Sequence, residues 1–136
     1  MINNFSTEHQ KLLDQSLIAI VSVLSPKGLP YLTPIWFVEY NNKIYFSTLK
    51  TRTKGKFLSQ NDKIGINITH TSGHPYVSII GKAEIKTKSD FSDYEQIVRK
   101  IFDRYVSSDD KEKGIQDNLN NTDRILVEIN PVRIFG

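Results

Sequence analysis

Between residues 47 and 56 the sequence alternates hydroxyls with cations: Ser47, Thr48, Thr51 and Thr53 interleave with Lys50, Arg52, Lys54 and Lys56. A bound phosphate needs several convergent donors and compensating positive charge. This segment supplies both, at the point where a short helix over Lys54–Gln60 is expected to begin. The same run also reads as an ordinary solvated charge face. Its setting within the chain is informative: residues 43–63 hold six basic residues against one acidic, a local balance of +5, while the remainder holds twelve basic and fourteen acidic. The net charge of +3 therefore reports one basic segment. That argues for a local anion site and against a surface that coats a polyanion.

A second candidate lies on the strand Thr33-Pro34-Ile35-Trp36-Phe37. Pro34 has no N–H for a sheet ladder, so it belongs on an edge or where two strands diverge. Divergence beside an aromatic leaves room for a planar ligand, although Trp36 taken alone reads first as a residue packed in the core. Together the two features suggest an apolar slot on one strand and a phosphate-binding edge after the next, joined by a hairpin.

Other chemistry is poorly represented. With no cysteine there is no disulfide, no Cys-ligated metal and no thiol nucleophile. The seven glycines form neither a Gly-x-Gly-x-x-Gly turn nor a phosphate loop, and there is no Gly-x-Ser-x-Gly elbow. His70 and His74 have ligand-like spacing, but Gly73 and Pro75 break any helix between them and no third ligand lies near, so no metal site is expected. Asp109-Asp110 sits among lysines in a polar stretch and reads as solvated rather than as an acid–base pair. No catalytic side chain is assigned.

The elements that must position these residues follow from periodicity. A chain of 136 residues suggests one domain over 1–136, and an apolar content of 38% suits a globular protein. The start, Met1–Gln10, is polar and carries no targeting pattern, and no apolar run approaches the ~20 residues that span a bilayer. A cytoplasmic location without membrane association is expected. Thr7 and Gln10 have capping-box spacing for a short first helix. Strands are expected at Leu17–Leu24, apolar on both faces, at Tyr31–Tyr40, and at Lys43–Thr48 after a tight Asn41-Asn42 turn. Further strands are expected around Ile64–Thr69, from Tyr76 to about Thr87 with a bulge at Gly81, and at Arg124–Ile129 ending at Asn130-Pro131. Phe91, Tyr94, Val98, Ile101 and Tyr105 repeat at helical intervals behind a Ser89 or Asp90 cap, and Ser107–Asn121 suggests a second short helix with a loop. The result is a mainly β chain with six largely antiparallel strands and short peripheral helices, a pattern that suits a small barrel.

In this order the motifs resemble the flavin-binding split β-barrels related to pyridoxamine 5′-phosphate oxidase, in particular the small branch using FMN or the deazaflavin coenzyme F-420. The resemblance covers roughly residues 10–134. It rests on Ile18–Val23 as the first strand, on Gly28-Leu29-Pro30-Tyr31-Leu32-Thr33-Pro34-Ile35-Trp36-Phe37, and on Lys43-Ile44-Tyr45-Phe46-Ser47-Thr48. The basic loop Arg52–Lys56, Asn61-Asp62-Lys63-Ile64, Gly81-Lys82-Ala83-Glu84 and Ile129–Ile134 complete it.

The resemblance implies a six-stranded antiparallel split β-barrel that forms a homodimer with cofactor at the interface. It places the cofactor ring against Thr33, Pro34, Ile35 and Trp36, and the phosphate near Ser47, Thr48, Lys50, Arg52, Lys54 and Lys56. Lys54 falls on the family's phosphate-binding lysine. The family arginine before it is Thr53 here, with Arg52 or Lys56 as its replacement, and Phe135 stands for the aromatic near the C-terminus. The implied activity is hydride transfer to or from a small conjugated substrate, with the reactivity residing in the cofactor. The competing reading is a non-enzymatic barrel that holds a cofactor, or holds nucleic acid through Lys50–Lys56 and the faces of Tyr31 and Tyr45. Confinement of the charge to one loop argues against nucleic acid.

Overall fold

Strict alternation of apolar residues produces strands whose inward faces build one core. Ile64, Ile66 and Ile68 are buried with Ala19, Val21 and Val23 on the neighbouring strand, while the residues between them face outward or are half-buried. The computed structural model describes residues 4–136; residues 1–3 of the polar start lie outside the described residues. In chain order the elements are α1 (Thr7–Leu13), β1 (Ala19–Leu24), β2 (Pro30–Ile35), β3 (Val38–Tyr40), β4 (Lys43–Leu49), α2 (Thr53–Gln60), β5 (Lys63–Thr69), β6 (Tyr76–Lys86), α3 (Tyr94–Tyr105), α4 (Lys111–Asn120) and β7 (Arg124–Phe135). Every described strand pair is antiparallel, and the sheet order is β2-β1-β5-β6-β7-β4-β3.

The two edges of this sheet, β2 and β3, are consecutive in sequence and joined only by Trp36 and Phe37. Three Cα–Cα steps span at most about 11 Å, so the sheet must curl until its edges nearly meet. The chain itself closes the barrel there while no ladder does, which makes the barrel split. The expected single strand Tyr31–Tyr40 is therefore two, and the described residues form seven strands rather than six. Phe37 turns fully into the core and Trp36 stays 43% exposed, so the chain changes face at the break. Pro34 lies on the edge strand β2, where a missing N–H costs no ladder bond.

Other expectations shift locally. Ser6, not Thr7, caps α1 by accepting the His9 N–H at 3.1 Å. The helix of the Phe91–Tyr105 stripe begins at Tyr94 behind Asp93; Asp90 instead accepts the Thr87 N–H and closes the preceding turn. Strand β1 is not apolar on both faces in the sense of burial, since Ile18 and Ile20 are exposed. The last strand does not stop at Asn130-Pro131 but runs on to Phe135. Beyond Ile129 it has only β6 as a partner, and the pairing slips by one residue opposite Ile80 and Gly81. Gly81 is required at that slip, because a Cβ would strike the Asn130 carbonyl. The Asn41-Asn42 turn has φ of 53° and 63°, the left-handed pair that Asn tolerates.

Two apolar clusters result. One fills the barrel and includes Phe37, Ile44, Phe46, Ile125, Val127 and Ile129. The other lies outside the sheet, where Tyr94, Ile97, Val98 and Ile101 of α3 with Ile115 and Leu119 of α4 cover Tyr45 and Leu126. Strand β4 and the first half of β7 are thus buried on both faces, and the α3–α4 pair forms a second layer over them.

Candidate functional site

Two clefts adjoin at the β2 edge, and Lys54 lines both. Its placement begins with β4, whose end runs straight into α2. Gly55 makes that junction possible: a Cβ there would collide with the Leu49 carbonyl and lie 2.8 Å from the Lys50 Cα. The first turn of α2 therefore packs against the end of β4 and carries Lys54 back toward β2, where its Nζ donates to Thr33 Oγ1 at 2.9 Å. Burial lowers the pKa of this lysine, and the nearby Arg52 lowers it further. Its charge is thus held partly desolvated beside a second cation, a state that an arriving anion relieves.

The first cleft, of about 390 Å³, is polar. Thr33, Thr48, Thr51, Arg52, Thr53, Lys54 and Lys56 line it together with Tyr31. The N-terminus of α2 opens here; Arg52 at the cap position makes no side-chain hydrogen bond to the helix, and no acidic residue lies in the first turn. Free helix N–H groups, threonine hydroxyls and three cations make a donor set that fits a phosphate. Tyr31 packs edge-on to Phe57 at 5.9 Å and so stands as a wall.

The second cleft, of about 520 Å³, is apolar along most of its length. Pro34, Ile35 and Trp36 form one side with Ile18, and Ile101 and Phe102 of α3 form another. Trp36 stacks on Tyr105 with the rings 3° from parallel and 5.2 Å apart, and meets the Phe102 edge at 6.5 Å. Tyr105 is itself anchored: its hydroxyl donates to the Leu17 carbonyl at 2.6 Å and accepts the Phe37 N–H at 3.3 Å. Arg104 beside it donates to the Leu13 carbonyl at 2.7 Å and covers the Phe37 ring at 4.7 Å. The end of α3 thereby ties the α1–β1 link to the β2–β3 break and sets the indole plane. At the far end of this cleft Ser47, Asn118 and Arg124 add polar groups.

Of the residues singled out from sequence, Thr33, Thr48, Arg52, Lys54 and Lys56 meet in the polar cleft, and Pro34, Ile35, Trp36, Ser47 and Lys54 in the apolar one. Ser47 and Thr48 separate because successive strand residues face opposite ways. Lys50 joins neither cleft: its Nζ lies 4.0 Å from Asp123 and its N–H donates to the Asp123 carbonyl. Tyr45 offers no stacking face for a nucleic acid, since it is buried beneath α3, stacked on Phe91, and donates to Glu128 at 2.7 Å. Asn118, Arg124, Phe102 and Tyr105 were not legible as site residues. Phe102 alone left a trace, as an apolar residue off the helix stripe.

A model of the family described as pyridoxamine 5′-phosphate oxidase matches residues 5–136. The chain belongs to the pyridoxamine 5′-phosphate oxidase family. Solved structures of the same fold include a conserved hypothetical protein from Mycobacterium tuberculosis, at 18% identity over 98% of this chain and 86% of that one, with a TM-score of 0.78. An F-420 reductase aligns at 18% identity over 93% of this chain and 94% of its own, with a TM-score of 0.69. A haem storage protein from Vibrio cholerae aligns at 12% identity over 94% and 91%, with a TM-score of 0.76. At these identities the likeness concerns the fold. No curated protein matches the chain. Among the described residues no helix is long and apolar enough to cross a membrane.

Proposed function

We propose that this single-domain, cytoplasmic protein is an FMN- or coenzyme F-420-dependent oxidoreductase, transferring hydride to or from a small conjugated substrate. The observation that carries the reading is the junction at Lys54, where a cleft built for an anion opens into an apolar cleft walled by an aromatic. A cofactor with a phosphate on a short chain and a planar ring needs that pairing. Thr48, Thr51, Thr53, Arg52, Lys54 and Lys56 would hold the phosphate, Pro34, Ile35 and Trp36 would hold the ring, and Thr33, bonded to Lys54, lies on the phosphate side of the junction. When bound, the ring supplies the hydride chemistry. The chain's own part is to orient the ring, exclude water and set the charge around it.

Arg52 and Lys56, beyond Lys54, also suit the extra carboxylates of the F-420 tail, so both cofactors fit the donor set. A haem-binding role is less well supported: among the described residues the apolar cleft is lined by no His, Cys, Met or Tyr that would ligate iron. Homodimer formation is supported by Ile18, Ile20, Leu29, Leu32 and Trp36, which are exposed around the β2 edge beside both clefts. Visible absorption of the purified protein, with mass spectrometry of the released small molecule, tests the reading. Copurified FMN or F-420, or micromolar binding on titration, is expected; retention of neither and no binding of either refutes it.

A further inference from the structure

The inner end of the apolar cleft has hydrogen-bonding groups that the protein leaves unmet. Asn118 of α4 is 8% exposed; its Nδ2 donates to Ser47 Oγ at 3.2 Å, while its Oδ1, shielded from water, has no partner. Buried polar groups are nearly always paired, so an orphaned amide oxygen in a cleft wall points to a donor brought by a ligand. The Ser47 hydroxyl accepts from Asn118 and keeps its own proton to give. Arg124, the first residue of β7, lines the same end, and its guanidinium makes no hydrogen bond or ion pair among the described residues.

These three groups set a pattern for the occupant. It must present a donor to Asn118 Oδ1 and acceptors to Ser47 and Arg124, on a ring flat enough to lie beside Trp36. A carboxylate or phosphate supplies no donor, and neither do the propionates of a haem. An imide edge, with an N–H between two carbonyls, supplies the whole set. We infer that Asn118, Ser47 and Arg124 read the imide edge of a bound planar heterocycle, the end that the FMN and deazaflavin rings have in common. This rests on the cofactor reading above and brings α4 and the start of β7 into ring recognition beside β2. Arg124 also places a positive charge beside a carbonyl that gains electron density when the ring is reduced, which favours the reduced form.

The test uses the full chain, stripped of small molecules, and four probes: FMN, 5-deaza-FMN and the counterpart of each methylated at the imide nitrogen. Wild type is expected to bind at least one parent and its methylated counterpart about tenfold less tightly, a difference of about 1.4 kcal/mol. Asn118→Leu should bind that parent about tenfold less tightly and no longer distinguish the two. Asn118→Asp, which keeps an acceptor, should restore the distinction. Arg124→Met should make the reduction potential of bound FMN more negative while preserving the parent-to-methyl ratio. Equal binding of parent and methylated probe by wild type overturns the inference and leaves the cofactor reading standing, as does an unchanged ratio in a folded Asn118→Leu. If Asn118→Leu does not fold, the wild-type ratio and the Arg124→Met potential decide. Failure of wild type to bind any of the four probes overturns the inference, and the cofactor reading falls with it when F-420 is not bound either.

Discussion

Replacing Lys54 with Met removes the one cation common to both clefts while keeping most of its apolar stem. A charge-assisted hydrogen bond to a phosphate contributes about 1.5–3 kcal/mol, so the dissociation constant for FMN should rise by about 10- to 150-fold. Binding is weakened rather than abolished, because Arg52, Lys56 and the threonines still line the polar cleft. Stability should change by no more than about 1 kcal/mol: the variant loses the bond to Thr33, but also removes a half-buried charge that Arg52 repels. The pH dependence distinguishes a direct contact from a general field. Burial lowers the Lys54 pKa from 10.5 in the free protein, so fold stability rises with pH between the lowered value and the unfolded one. Binding runs the opposite way, since an anion favours protonated Lys54 and affinity falls as pH climbs through that lowered pKa. Lys54→Arg does not deprotonate and should lack this alkaline fall. Titration by flavin fluorescence from pH 6 to 10, with thermal melts of each variant, measures both effects. An unchanged affinity in Lys54→Met, or the same alkaline fall in Lys54→Arg, refutes the assignment of Lys54 to the phosphate.

Glu128 is buried on β7 and accepts from Tyr45 at 2.7 Å, Lys43 at 3.2 Å and Asn130 at 3.2 Å. Burial pushes its pKa up, but the three donors outweigh this and hold it below the ordinary carboxylate value, so its contribution is present at neutral pH and lost as pH falls through the lowered pKa. Glu128→Gln should cost about 1.5–3 kcal/mol at pH 7, or roughly 5–10 °C in Tm, and the gap from wild type should narrow on acidification in calorimetric scans. Trp36→Ala should weaken flavin binding while costing only about 1 kcal/mol of stability, since the indole is 43% exposed and loses chiefly its stack on Tyr105. A stability loss above about 3 kcal/mol in chemical denaturation would instead make Trp36 a core residue.

Features carried by short-range chemistry are legible in the sequence. The Asn41-Asn42 hairpin, the need for glycine at the Gly81 slip, the edge placement of Pro34 and the concentration of charge around Lys54 each depend on a few adjacent residues. The exceptions are where tertiary packing overrides local pattern. Pro131 read as a strand end because it lacks an N–H, yet the strand continues, since it has a partner on only one side beyond Ile129. Tyr45 read as a stacking face for nucleic acid, but α3 buries the face on which it lies.

The sequence by itself determined that this is a mainly β chain of the pyridoxamine 5′-phosphate oxidase type, with one basic loop following a hairpin. Those properties reside in periodicity, turn residues and motif order, which are local or collinear along the chain. Only the tertiary structure decided that the long second strand breaks at Trp36-Phe37 to become both edges of the sheet. It alone turned Lys50 away toward Asp123, brought Asn118, Arg124 and Phe102 into a cleft with Trp36, and stacked Tyr105 on the indole. These contacts join segments tens of residues apart, and no periodicity encodes which face of α3 and α4 will meet which end of β4. That choice is made when the helices bury their apolar stripe on the outer face of the barrel.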